Sequence, residues 1–270
     1  MKNIKWRICS FLVFMAALVV LVEGRTLSTD RAFALTPANV PCGLVGWWPL
    51  DGNATDIKNG NNGIVVNGGA FVSAMVNKGW KSNGQTSVVK VPDAPALHVT
   101  KFTIDFWVKL AAYNQGNTVA IWKGNAHGQD GTSAYGVLIR GISAPNPSLP
   151  SAPAGTIIVE IGNQSSAQFM QSTSALPLKQ FKHVTVTADG SYLRLYIDGS
   201  PDGMPVPQTL IPVDNFRPLQ IGGVANSFYN NTSLNGVIDE VELFNRALDP
   251  NPKSEISAIF QAGNLGKCKT

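Results

Sequence analysis

The chain is short of charge. Asp, Glu, Lys and Arg make up 14% of its 270 residues, against roughly a quarter in average globular proteins. That scarcity argues against coiled coils, charged helical repeats and charged disordered tails. A basic stripe of the kind that tracks phosphates is also missing. The net charge of +4 arises largely in the first 34 residues, which hold five of the 21 basic side chains (Lys2, Lys5, Arg7, Arg25, Arg31) and only two acidic ones, Glu23 and Asp30. The remainder carries 16 basic and 15 acidic residues, so no nucleic-acid partner is expected.

Side chains for acid–base and metal chemistry are equally sparse. The three histidines, His98, His127 and His183, are scattered, and beyond residue 34 the only glutamates are Glu160, Glu240, Glu242 and Glu255. The chain has no Gly-x-Ser-x-Gly elbow, no phosphate-binding glycine loop and no His-Glu-x-x-His zinc motif.

After Val22 no apolar run approaches the length of a membrane span. Before it, residues 1–7 (MKNIKWR) carry three positive charges and residues 8–22 (ICSFLVFMAALVVLV) are apolar or small. That order reads as an export signal spanning residues 1–34, with Ala32-Phe33-Ala34 as a small-x-small cleavage site; an uncleaved anchor is the alternative. The membrane is met only through that signal, and the domain over 35–270 is expected to be secreted, periplasmic or displayed at the cell surface. Three cysteines are present, and Cys9 lies in the signal. In an oxidising compartment Cys42 and Cys268 are then expected to pair, joining the two ends of the domain. Two free or metal-bound thiols are the alternative, and two isolated cysteines make a poor metal site.

What the chain does have is punctuation: 26 Gly and 17 Pro separate short alternating runs from residue 43 onward. Residues 102–110 (FTIDFWVKL), 181–188 (FKHVTVTA), 192–197 (YLRLYI), 156–161, 219–221 and 236–244 read as strands. Asp189-Gly190 and Asp198-Gly199 are favoured hairpin turns. The spacing predicts an all-β sandwich of antiparallel sheets. Trp47 and Trp48, being adjacent, should point to opposite faces. One short helix is predicted near the C-terminus, capped by Asp249, with Ile256, Ile259 and Phe260 on one face and Gly263 at its end, lying against one end of the sandwich. The proline-rich stretch 141–155 reads as an exposed loop.

The blocks GLVGWWPLDGNATD (43–56), VPDAPAL (91–97), FTIDFWV (102–108), LYIDG (195–199), IGG (221–223) and GVIDEVELFNRAL (236–248) resemble, in order and spacing, laminin G-like, concanavalin A-like jelly-roll modules of secreted proteins. The resemblance implies an antiparallel jelly roll with one short C-terminal helix, and it covers about 220 residues. It also implies a structural calcium near the chain termini. Asp51, Asn53 and Asp56 crowd one turn and Asp239 sits on the last strand, giving the hard oxygen donors Ca2+ requires.

Enzymes of this fold related to laminarinases and carrageenases carry E-x-D-x-E or a variant one residue longer on one strand face, as nucleophile and acid. Glu160 has Ile158 and Gly162 at the flanking positions, and Asp239-Glu240-Val241-Glu242 is the nearest imitation, so the chain is expected not to be an enzyme. A glycoside hydrolase remains the alternative. The expected function is recognition of a glycan or glycosylated surface, with another extracellular protein as the competing partner. The aromatic and amide side chains suited to sugars are Phe228, Tyr229, Asn230 and Asn231 on one loop and His127 and Tyr135 on another.

Overall fold

Short alternating runs need two sheets to bury their apolar sides, and two sheets form. The computed structural model describes residues 36–124, 133–143, 148–163, 165–213, 216–225, 232–249, 251 and 255–269. One sheet contains β1 (Leu44–Trp48), β3 (Ala70–Ser73), β4 (Lys78–Lys81), β6 (Phe102–Leu110), β11 (Phe181–Ala188), β12 (Tyr192–Ile197), β13 (Ser200–Pro201), β14 (Val206–Pro207) and β16 (Gly236–Phe244). The other contains β2 (Ile64–Val66), β5 (Val88–Val91), β7 (Thr118–Lys123), β8 (Tyr135–Ile139), β9 (Thr156–Gly162), β10 (Ala167–Ala175) and β15 (Leu219–Ile221). All strand pairings are antiparallel. The core lies between the sheets, where Phe102, Ile104, Phe106 and Val108 of β6 meet Val137, Ile139, Val159 and Ile161 of β8 and β9.

β16 organises the larger sheet. One edge runs along β6, while the other is shared by β4 at Val237–Ile238 and β1 at Val241–Phe244. The changeover falls at a bulge between Asp239 and Glu242, where Glu240 takes a left-handed φ of 50°. Bulges re-aim side chains and let a strand change partners, and the residue in this one is a glutamate.

The hairpin signals acted differently. Asp198 and Gly199, with φ of 52° and 70°, form the expected two-residue turn between Ile197 and Ser200. At Asp189-Gly190 the loop is longer, because the Asp189 carboxylate accepts the N–H of both Ser191 and Tyr192 at 2.7 Å and draws them into the turn. Trp48 enters the main core and Trp47 the opposite face, as adjacency requires. The helix, α1 (Glu255–Ala262), lies against the outer face of the larger sheet and not at an end of the sandwich. Ile256 and Ile259 pack with Leu44, Trp47, Tyr196, Phe244 and Leu248 in a second small core, and Phe260 stacks at 5.9 Å on Trp107.

The structure does not show the expected Cys42–Cys268 disulfide. The two ends of the domain meet, but in a different register. Ala38 forms a parallel bridge with Lys267; its N–H donates to Gly266 O at 2.9 Å, and Cys268 N–H donates to Ala38 O at 3.1 Å. Cys42, four residues further on, is exposed beside the end of β16, where its carbonyl accepts from Arg246 Nε.

Close approach of β16 to β6 depends on Gly236, where an added Cβ would lie 2.2 Å from Lys109 O. Gly236→Ala is expected to destabilise the protein by about 1–3 kcal/mol through overpacking, read as a lowered midpoint in urea denaturation.

Candidate functional site

Alternation along β6, β11 and β16 places Asp105, Thr185, His183 and Glu242 on the outer face of the larger sheet. Glu242 stands opposite Asp105, and Asp105 opposite Thr185. All four are buried beneath the C-terminal segment. Asp105 accepts from Thr185 Oγ1 at 2.5 Å and lies 2.9 Å from His183 Nε2. The Lys267 ammonium enters from the tail, 3.0 Å from Glu242 Oε1 and 5.5 Å from the Trp47 ring centroid. Burial opposes the charge on Lys267, but Glu242, Glu240 and Asp105 outweigh it and hold its pKa above the ordinary lysine value. Burial, with Asp105 and Glu240 adding repulsion, pushes the Glu242 carboxyl up to about 8 against the pull of Lys267. Buried beside Asp105 and Glu240, the Glu242 carboxyl is thereby favoured in its protonated form.

Next to this cluster, Glu240 accepts from Trp47 Nε1 at 2.9 Å and from Lys269 Nζ at 2.6 Å. Lys269 also reaches Asp51 Oδ2 at 2.6 Å. Asp239 Oδ2 accepts the N–H of Val76 at 2.8 Å, and burial, reinforced by Glu240 and Asp51, pushes its carboxyl up to about 8. Asp51, Asn53 and Lys269 share the wall of a hollow of about 280 Å³.

The four residues expected to hold calcium therefore separate by role. Asp51 lies near enough to Asp239 to add repulsion to its carboxyl, and Lys269 holds a carboxylate oxygen of Asp51. Asp56 is buried and committed to its turn: Oδ1 accepts from the N–H of Trp47 and Lys58, and Oδ2 from Asn59 and Asn61. Asn53 closes a local turn through the N–H of Thr55. Among the described residues no group of three or more His, Cys, Asp or Glu side chains is arranged to hold a metal. The donor set does not fit a single calcium ion, and a lysine ammonium fills the cationic role between Asp51 and Glu240.

Of the residues expected to touch sugar, His127, Phe228, Tyr229, Asn230 and Asn231 lie outside the described residues. Tyr135 is a correction. It is 1% exposed, packs in the main core, and donates its hydroxyl to Leu97 O at 2.9 Å. Its place on β8 follows the inward set Tyr135, Val137, Ile139, which a loop assignment missed. On the outer face of the smaller sheet, Val119, Trp122, Leu138 and Ile158 form an apolar cluster against which Leu149, from the proline-rich stretch, packs.

Sequence reasoning also missed an open groove of about 540 Å³ beside β12 and β13. Arg194, Tyr196, Pro201, Pro205, Asp249 and Asn251 line it. Arg194 donates to Asp189 Oδ2 at 2.5 Å and lies 5.1 Å over the ring of Tyr192. Partial burial works against the Asp189 charge, yet Arg194 and two backbone N–H groups hold its carboxyl below the ordinary range. Asn251 N–H donates to Asp249 Oδ1 at 2.9 Å. Arg194 was legible as an outward position of an alternating strand, but its approach to residues 50 positions away was not.

Two face-packed antiparallel sheets with these connections define a concanavalin A-like sandwich. A family model described as the Concanavalin A-like lectin/glucanases superfamily matches residues 83–252, and the chain belongs to that family. No curated protein matches the chain. Among solved structures it is similar to domain 4 of AbnA, a GH43 extracellular arabinanase from Geobacillus stearothermophilus, in complex with arabinotriose (15% identity, TM-score 0.58, covering 79% of this chain and 96% of that one). It is also similar to the binding domain of Paraclostridial Mosquitocidal Protein 1 (16%, 0.60, 81% and 52%). A third is Trypanosoma rangeli sialidase in complex with the inhibitor DANA (19%, 0.59, 86% and 35%). The chain thus spans about half of the second structure and a third of the sialidase.

These similarities show the fold, and they correct the expectation that the chain is not an enzyme. The fold is shared with enzyme chains and binding modules alike, so a missing E-x-D-x-E pattern does not exclude chemistry.

The buried cluster generates two expectations. Because the Glu242 carboxyl rises from 4.5 to about 8 on folding, the folded state binds the extra proton between those values. Its contribution is complete below pH 4.5 and is lost as pH rises through 8, with a slope of about 1.4 kcal/mol per pH unit. Glu242→Gln should flatten that slope in urea denaturation across pH 5–8. Lys267→Ala, which leaves buried carboxylates without their ammonium, should destabilise by about 3–5 kcal/mol in the same measurement at pH 7.

Proposed function

We propose that the protein recognises carbohydrate outside the cell through the groove beside β12. The observation that carries this reading is the composition of that groove. Pro201 and Pro205 supply apolar faces for a sugar ring, while the Arg194 guanidinium, the Asp249 carboxylate and the Asn251 amide supply groups for hydroxyls. Its volume accommodates a short oligosaccharide, and its open form admits a chain end or an internal segment. The same-fold arabinanase domain in complex with arabinotriose supports a sugar as occupant. The charged and then apolar N-terminus supports export, and laminin G-like domains are typically extracellular. Among the described residues no helix is long and apolar enough to cross a membrane.

A broad glycan array with the full chain, followed by calorimetry on the best sugar, tests the proposal. Arg194→Ala and Asn251→Ala should each weaken binding by about tenfold, the loss of one hydrogen bond to a charged or amide group, with an unchanged far-UV circular dichroism spectrum. Equal affinity in wild type and both variants would move recognition away from this groove, and a silent array would remove the carbohydrate reading.

A further inference from the structure

The outer face of the larger sheet is covered by α1 and the tail over Asp105, His183 and Glu242, but not over the next row. There β4, β16 and β6 present Lys81, Val237 and Lys109 abreast, since Val237 is the register partner of both lysines. Adjacent strands lie about 4.8 Å apart, which puts the two lysine Cα atoms roughly 10 Å from each other. A third lysine joins them from the segment after β10. Leu178 bridges to Leu110, and Lys179 donates its N–H to Leu110 O at 2.7 Å, with a left-handed φ of 63° that turns the chain toward the pocket.

The three lysines surround a pocket of about 360 Å³ whose floor includes Val72, Leu110 and Val237. No carboxylate lines it. Four lysines elsewhere have carboxylate partners, Lys123 with Asp93, Lys182 with Asp198, Lys267 with Glu242, and Lys269 with Asp51 and Glu240, whereas Lys58, Lys78, Lys90 and Lys101 stand singly without one among the described residues. Lys81, Lys109 and Lys179 have no ion-pair partner among the described residues. Lys109 has only a ring for company, its ammonium lying 4.5 Å over Phe181. The pocket thus brings three lysines that lack a carboxylate partner among the described residues to one largely apolar wall.

We infer that this pocket binds the anionic substituent of an acidic saccharide, a carboxylate or a sulfate ester, with the apolar floor against the sugar's C–H face. The inference rests on the carbohydrate reading and adds a preference to it: acidic over neutral glycans, at a site separate from the β12 groove. Like charges held together repel, and an oxyanion relieves that repulsion while gaining charge-assisted hydrogen bonds. Binding at such an exposed site weakens with salt.

The test uses three probes on the full chain: a galacturonic acid trisaccharide, a neutral galactose trisaccharide, and inorganic sulfate. Calorimetry at low and at 0.5 M salt is run on wild type, Lys81→Gln/Lys109→Gln and Lys179→Gln. Wild type should bind the acidic trisaccharide at least tenfold tighter than the neutral one, and the double variant should lose that preference. Carbon-13 shifts of reductively methylated lysines in the wild-type protein follow the same site without any substitution, so a poorly folded variant does not obscure the result. Shifts confined to Lys81, Lys109 and Lys179 on adding the acidic sugar would support the inference. Equal affinity for the two sugars, or an acidic preference that survives in the double variant, would overturn it while leaving recognition at the groove intact. Binding of sulfate with the acidic trisaccharide unbound would also overturn it, and the glycan array alone decides the groove.

Discussion

Everything on the covered face of the larger sheet depends on two lysines near the C-terminus. Without Lys267 and Lys269, β16 would bury the carboxylates of Glu240 and Glu242 against an apolar helix with no ammonium beside them. Such desolvation is not sustained by hydrogen bonds alone. With them, the tail becomes part of the sheet's electrostatics, and α1 is held down at its far end by charge as well as at its near end by Ile256, Ile259 and Phe260. The bulge that gives Glu240 its left-handed backbone serves the same arrangement. It lets β16 change partner from β4 to β1 while aiming the carboxylate at Trp47 and Lys269.

The same face explains why calcium was a reasonable expectation and why the residues do not fit it. Acidic side chains from the first turn and the last strand do converge near the chain ends. The convergence is answered by an ammonium carried on the chain itself, and Asp56 has its oxygens taken by backbone N–H groups. The acids nearest the tail lysines are compensated, whereas the lysines of the uncovered row are not. One sheet face is therefore divided into a neutralised half and a positive half.

Much of the architecture was legible in the sequence because it rests on local rules. Period-two alternation gave β6, β11, β12 and β16 their limits, and Asp198-Gly199 its turn. What was not legible depends on distant partners. Cys42 and Cys268 lie at opposite ends of the chain and invite pairing, but the register that joins the ends is set by Ala38 and Lys267, which carry no sequence signal. Tyr135 read as a loop aromatic because a glycine-rich stretch precedes it, while its inward phase on β8 decides its burial. The β12 groove and the lysine pocket each assemble from separate stretches of the chain, and no spacing rule announces either.

The bridge between Ala38 and Lys267 is parallel, and that orientation determines how the domain would meet a pulling force. With the two segments running in the same direction, traction on the chain before Ala38 and after Cys268 acts along the strands in opposite senses. The pair is loaded in shear, so its hydrogen bonds bear tension together, where an antiparallel pair of ends would unzip one bond at a time. Behind it Lys267 is anchored in the buried carboxylate cluster, so extension of the C-terminal segment would require drawing a charge out of the interior. The seam at the domain's ends would therefore resist such a force as a clamp.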